Sequence, residues 1–186
     1  DQASQGLMQK IDVGHVQTRG RFVEEKEARL AARAGDGLGL GSRRGRAFEV
    51  ASIDANIQSM TDTVVGTSNA NLYQPRNIEE LQYSLPTQMA LSALGKGNGY
   101  RTHRDFMDGK LDLGPDSEVI RLARKIKLRV SPELDRQYPH FVAEVTVNYA
   151  DGSSERIFQE RSTGSPTRPF TDEQHRAKLD ELLREV

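Results

Sequence analysis

The chain has no cysteine, and that single absence removes disulfide scaffolds, thiolate zinc sites, iron–sulfur ligation and cysteine nucleophiles. It is compatible with a reducing compartment. Net charge is nearly absent as well, because 26 Lys and Arg stand against 27 Asp and Glu, leaving −1. A chain that neutralises nucleic-acid phosphates carries a basic excess, so nucleic acid is not an expected partner. No run approaches the roughly 18 apolar residues of a membrane span, and the start, Asp1-Gln2-Ala3-Ser4, is neither an initiator Met nor a signal peptide. The expectation is a soluble, cytoplasmic chain without a membrane partner, whose first residue need not be the native N-terminus. Hydrophobic residues make up 35% of the 186. That is lean but sufficient for a core, with room for one domain and a small second element.

Several elements follow from periodicity. Phe22 to Ala34 is rich in helix formers, pairs Glu25 with Arg29 and stops at Gly35, which predicts one surface helix. Gly35 to Arg46 holds five glycines and three arginines and reads as a loop at a domain boundary. Phe48, Val50, Ala51, Ile53, Ala55, Ile57 and Met60 recur at three- and four-residue spacing, predicting a helix with a broad buried stripe. A short strand is expected at Thr63 to Thr67, then a polar turn at Ser68 to Asn71. Ser84 is a candidate N-cap, with Pro86 in the first turn of a buried helix carrying Leu85, Met89, Leu91 and Leu94 and stopping near Gly95. Pro115 is expected to open a helix, with Asp116 and Glu118 at its N-terminal end. Ile126, Leu128 and Val130 alternate with Lys127 and Arg129, as do Phe141 to Tyr149, and Asp151-Gly152 marks a hairpin turn before Glu155 to Arg161. These three strands are expected to share an antiparallel sheet, so the fold class is α+β with packed helices. Thr171 and Gln174 form a capping box before a last helix striped by Leu179, Leu182, Leu183 and Val186. More chain, or a partner, is expected to cover that stripe.

The chemical signals are sparse. Gly35, Gly37, Gly39 and Gly41 never complete G-x-G-x-x-G, and no Lys precedes Ser42 as a phosphate loop requires. His15, His103, His140 and His175 show neither H-x-H nor H-E-x-x-H spacing, so no metal site is expected. Each can still act singly as an acid or base. Arg43, Arg44 and Arg46 are suited to bidentate carboxylate recognition, or form a solvated basic loop. Tyr73, between a polar link and Pro75, is either a proton donor at a cleft or a packed ring with a satisfied hydroxyl.

From Tyr73 to Gly97 the string YQPRNIEELQYSLPTQMALSALGKG resembles the 2-methylcitrate dehydratase (MmgE/PrpD) family, in which Tyr-x-Pro is followed by an acidic residue, an aromatic and Ser-Leu-Pro before a helix. Further pieces occur in family order. They are Phe106-Met107-Asp108, Ala123 to Ile126, Pro132-Glu133-Leu134, Tyr138-Pro139, Val145-Thr146-Val147, Asp151-Gly152, Gly164-Ser165-Pro166, Pro169-Phe170-Thr171 and Lys178. Together they cover about residues 48 to 180. Upstream, Lys10 to Gly14 and Gly20 resemble a Lys-Arg-Leu-His-x-Gly segment, with Asp12 where the family has His. The family's Lys-Pro-Tyr-Pro and His segment is replaced by Gly41 to Val50 with its arginines.

The resemblance implies a large all-helical domain and a smaller α+β lid, an active site between them, and no metal or organic cofactor. This chain then holds terminal helices of the helical domain and the Gly/Arg-rich loop in residues 1–45, the lid in 46–170 and a helix returning to the helical domain in 171–186. The implied activity is that of a dehydratase-type lyase on a small citrate-like polycarboxylate. Family chemistries include dehydration of 2-methylcitrate, decarboxylation of cis-aconitate and epimerisation of iminodisuccinate. Tyr73 would be the lid's catalytic contribution and Lys10 a substrate-side cation, with Arg43 and Arg44 replacing the missing Lys as carboxylate ligands. The implied partners are a helical companion domain or subunit and the carboxylated substrate, in a homo- or hetero-oligomer. Two alternatives stand beside the lyase: a non-catalytic lid or assembly subunit, and the same fold reused to isomerise or decarboxylate another carboxylated substrate.

Overall fold

The computed structural model describes residues 50–161 and 164–183. The helix expected at Phe22 to Ala34, the Gly35 to Arg46 loop, Lys10, Arg43, Arg44, His15 and Val186 lie outside the described residues. What is described is α+β, with a four-stranded sheet and helices packed on it.

Strand β1 (Val50–Ile57) is the centre of the sheet, whose order is β2-β1-β3-β4, with β2 Ile126–Val130, β3 Ala143–Tyr149 and β4 Ser154–Gln159. Within the helix expected across Phe48 to Met60, the described Val50–Ile57 is therefore a strand, and the residues show why. Ile53, Ala55 and Ile57 are buried while Ser52, Asp54 and Asn56 alternate with them. A stretch this short satisfies both a period of two and a spacing of three and four, and β-branched Val50, Ile53 and Ile57 decide for the strand. A register shift between Val50 and Ser52 turns Ala51 outward and supplies the extra residue that imitated the helical spacing.

The sheet is mixed rather than antiparallel. β1 runs parallel to β2, with Ile53 opposite Ile126, and antiparallel to β3, with Ala55 opposite Val145. Parallel neighbours need a long crossover. It is supplied here by helices α1 (Ser59–Val65), α2 (Ile78–Gln82), α3 (Leu85–Ala93), α4 (Tyr100–Met107) and α5 (Glu118–Ala123). β3 and β4 form the expected hairpin, with Gly152 at φ 82° and Asp151 accepting from Ser153 N at 2.9 Å.

The expected strand at Thr63 to Thr67 is instead the last residues of α1, Thr63 to Val65, and the turn that follows at Gly66 and Thr67. The N-terminus of α1 is capped from far along the chain: Asp135, in the short helix α6 (Pro132–Asp135), accepts from Ser59 N at 2.8 Å and Ser59 Oγ at 3.1 Å. No local pattern announces such a cap. Gln58, just before, is buried and satisfied at both ends, donating to Leu134 O at 2.8 Å and accepting from Val142 N at 3.3 Å. Met60, expected in the buried stripe, is exposed. The helix expected from Pro115 begins instead at Glu118, because Ser117 is the residue that caps it, accepting from Ile120 N at 3.3 Å.

α3 forms as expected. Gly95 at φ 69° stops it, with Lys96 N donating to Leu91 O at 2.9 Å and Gly95 N to Ser92 O at 3.0 Å, a Schellman ending. The core between sheet and helices holds Ile53, Ala55 and Ile126 against Leu81, Leu91, Val119 and Ile120, all essentially fully buried. Each large side chain of this set contributes about 1.5–3 kcal/mol by burial.

The last helix, α7 (Asp172–Leu183), has the expected capping box: Gln174 N donates to Thr171 Oγ1 at 3.3 Å and Thr171 N to Gln174 Oε1 at 3.0 Å. Its orientation reverses the usual one. Lys178 and Glu181 are its half-buried residues, whereas Leu179, Leu182 and Leu183 are exposed. Glu181 Oε1 accepts from Arg101 N at 3.2 Å, at the start of α4.

Ser84 joins two segments. It is fully buried, its hydroxyl donates to Leu72 O and accepts from Thr87 N at 3.2 Å, and Thr87 Oγ1 lies 2.7 Å away. Ser84→Ala removes a cap and strands a buried carbonyl, so chemical denaturation should give a stability loss of about 2–3 kcal/mol. A loss below about 0.5 kcal/mol would mean that neither bond matters.

Candidate functional site

The segment between α1 and α3 has little regular structure, and its polar side chains take over the main-chain hydrogen bonds. Asn69 Nδ2 lies 3.1 Å from Gly66 O and 3.0 Å from Tyr83 O. Asn77 Oδ1 caps α2 by accepting from Glu80 N at 2.8 Å, and Glu80 in turn accepts from Asn71 Nδ2 at 2.8 Å and from Arg76 N at 2.7 Å. The Arg76 N–H, then the Asn71 amide, hold the Glu80 carboxyl below the usual glutamate range. These bonds fix the backbone on both sides of Tyr73.

Tyr73 is half-buried, with its ring against the core. Its hydroxyl donates to Ile126 O at 2.9 Å. Ile53 N donates to Lys125 O at 3.0 Å, and carbonyls alternate along a strand, so Ile126 O points away from β1, to the edge of β2 that no described strand pairs. Tyr73 thus caps an edge-strand carbonyl that would otherwise be unpaired. Burial pushes its phenol above the usual tyrosine range, so it stays protonated at neutral pH and acts as a donor rather than a base.

At the same end of the sheet, Lys125 Nζ donates to Val50 O at 2.6 Å. The pairing of Ile53 with Ile126 sets the start of β1 beside the Tyr73-capped strand. Among the sequence-predicted site residues, Tyr73 is the one the described residues contain. Lys125 escaped sequence reasoning because a lysine opening an alternating strand looks like any solvated side chain, and the Ile126 carbonyl carries no sequence signal at all.

None of the three described histidines bonds to Tyr73, Ile126 or Lys125 in this region. His140 and His175 are exposed, His175 with its ring centroid 5.4 Å from that of Phe170, and His103 is half-buried on α4. No cluster of three His, Asp or Glu able to hold a metal occurs among the described residues. Nor is any described helix long and apolar enough to cross a membrane.

The sheet face opposite the core is polar and largely satisfies itself. Asn148 Nδ2 donates to Asp54 Oδ2 at 2.9 Å and Ser52 Oγ at 3.0 Å, Arg129 Nε lies 3.4 Å from Asp54 Oδ1, and Glu144 takes Asn56 Nδ2 at 2.9 Å together with Arg156.

A profile of the MmgE/PrpD C-terminal domain matches residues 38–186, most of the chain and all of the described region. The chain belongs to the MmgE/PrpD family. The Tyr-x-Pro and Ser-Leu-Pro segments that carry the resemblance are, in this MmgE/PrpD domain, the pinned loop around Tyr73 and the capped start of α3. No curated protein is significantly similar in sequence.

The Arg156 guanidinium first, and the Asn56 amide after it, hold the Glu144 carboxyl below the usual glutamate range. A carboxyl lowered on folding stabilises the fold above the ordinary range, about 4.3, and that stabilisation is lost as pH falls through the lowered value. Arg156→Met should therefore move Glu144 titration, followed by NMR, upward toward the ordinary value and make the domain less stable at neutral pH but not at pH 2. Unchanged titration would separate Arg156 from Glu144.

Proposed function

We propose that the chain is the C-terminal part of a lyase of the dehydratase type, acting on a small citrate-like polycarboxylate without a metal or organic cofactor. The observation that carries this reading is the MmgE/PrpD match over residues 38–186. Removing water next to a carboxyl group needs a base for the carbon-bound proton, an acid for the departing hydroxyl, and cations that hold the carboxylates as charge develops. Tyr73 suits the acid, since burial keeps its phenol protonated. Lys10, Arg43 and Arg44 are assigned to the carboxylates, the arginines by bidentate pairing. Arg43 and Arg44 precede Val50 by seven and six residues in the sequence. The other half of the site belongs to a helical companion domain or subunit, with residues 171–186 leading back to it, in a cytoplasmic homo- or hetero-oligomer.

One observation favours a second reading, a lid that kept the fold and lost the chemistry. The Tyr73 hydroxyl is already used, donating to Ile126 O within the domain. A phenol that must stay there to cap the edge of β2 has no proton to give.

The experiment is turnover of citrate-like acids by the complete assembly, identified by native mass spectrometry, with Tyr73→Phe, Arg43→Ala and Arg44→Ala compared at matched stability. The lyase reading expects Tyr73→Phe to lower kcat by about 10²–10⁴-fold, the usual worth of a general acid, beyond a stability loss of about 1 kcal/mol for the lost bond. Activity unchanged across the set, with only the stability loss, establishes the lid reading.

A further inference from the structure

The described sheet has two outer edges, and they are finished differently. At the β2 edge the Tyr73 hydroxyl occupies Ile126 O, and exposed Lys127 and Arg129 flank the strand, charges of the kind that keep another strand from pairing. β4 has no lysine, no proline and no register shift against β3. No described strand pairs its outer side.

Which groups stand on that side follows from the ladder. Tyr149 N donates to Ser153 O at 2.9 Å, and hydrogen-bonding direction alternates along a strand, so Glu155, Ile157 and Gln159 turn their main-chain groups to β3. Ser154, Arg156 and Phe158 turn theirs outward. The side chains of Arg156 and Phe158 lie on the polar face, Arg156 across from Thr146 and Phe158 across from Glu144. Phe158 is 47% exposed, and the Arg156 guanidinium is paired with Glu144. Ile157 is on the other face, packed against the core.

A second β4 laid antiparallel to the first, about a two-fold axis at Ile157, is complementary to this edge. Arg156 of one copy then stands opposite Phe158 of the other, and their outward N–H and C=O groups exchange main-chain hydrogen bonds. On the polar face each guanidinium lies against a ring, an attractive pair. On the core side Ile157 meets its own counterpart and Glu155 meets Gln159, so no like charges stand opposite one another. An axis at Arg156 would set that guanidinium against itself. An axis at Phe158 would pair Arg156 with Glu160, beyond the end of β4 at Gln159. The Ile157 register has neither fault.

We propose that the outer edge of β4 is a self-pairing surface whose partner is a second copy of this chain, the two four-stranded sheets joining into one. The pairing uses main-chain groups of Arg156 and Phe158 and the Arg156–Phe158 contact between copies. It gives a surface to the oligomer proposed above and does not depend on the lyase reading, since no residue of the proposed site takes part.

The test is sedimentation of the 186-residue chain over a range of concentrations, beside Phe158→Arg and Phe158→Pro. A reversible dimer is expected. Phe158→Arg places a guanidinium opposite Arg156 of the second copy but across from Glu144 in its own sheet. The dimer Kd should therefore rise at least about tenfold, while the dilute monomer unfolds at or above the wild-type temperature. Phe158→Pro removes an outward N–H that β3 does not use and should also raise Kd. In a mixture of isotope-labelled and unlabelled chains, NMR should show contact between the Ile157 α-protons of the two copies. A chain that stays monomeric at millimolar concentration overturns the proposal, as does a dimer whose Kd neither substitution changes. So does a dimer without the Ile157 contact, which would leave the β4 edge to another register or another protein.

Discussion

The fold depends on β1 having a hydrogen-bonded neighbour on both sides. β2 contributes a parallel ladder on one side and β3 an antiparallel one on the other. The parallel pairing makes a crossover obligatory, and helices of that crossover bury Val65, Leu81, Leu91, Val119 and Ile120 in one core with Ile53, Ala55 and Ile57. Remove the strand and neither the helical layer nor the β3–β4 hairpin has anything to pack on.

A second level of order comes from polar side chains. Between α1 and α3 the backbone is held by Asn69, Asn71, Asn77, Glu80 and Ser84 rather than by a ladder. Such bonds are worth about 1 kcal/mol each and act cooperatively when buried. They carry Tyr73 to the edge of β2, where its hydroxyl is both a cap and the proposed reactive group. A residue with two such duties couples the stability of the lid to any chemistry at its surface.

Elements whose boundaries are set locally were legible in the sequence: α3 from Ser84, Pro86 and Gly95, the β3–β4 hairpin from alternation and Asp151-Gly152, and the start of α7 from Thr171 and Gln174. Those set by distant partners were not. α1 is capped by Asp135, 76 residues away. β1 reads as a helix until its neighbours bury alternate residues, and a strand missed at the centre makes a mixed sheet look antiparallel. α2, α4 and α6 are too short and too polar to announce themselves. Of the candidate site, Tyr73 is legible through the family motif, yet its hydroxyl partner is a backbone carbonyl that carries no sequence signal.

The reversed seating of α7 separates two demands that usually fall on the same side chains. Its inward face is Lys178 and Glu181, and Leu179, Leu182 and Leu183 stand outside the described core. Polar replacements at these three positions leave every described core contact intact and change folding free energy by no more than about 0.5 kcal/mol each. Solubility can therefore be engineered at the outer face of this helix independently of the core, which makes the leucine stripe the natural place to modify the isolated domain for concentrated solution work.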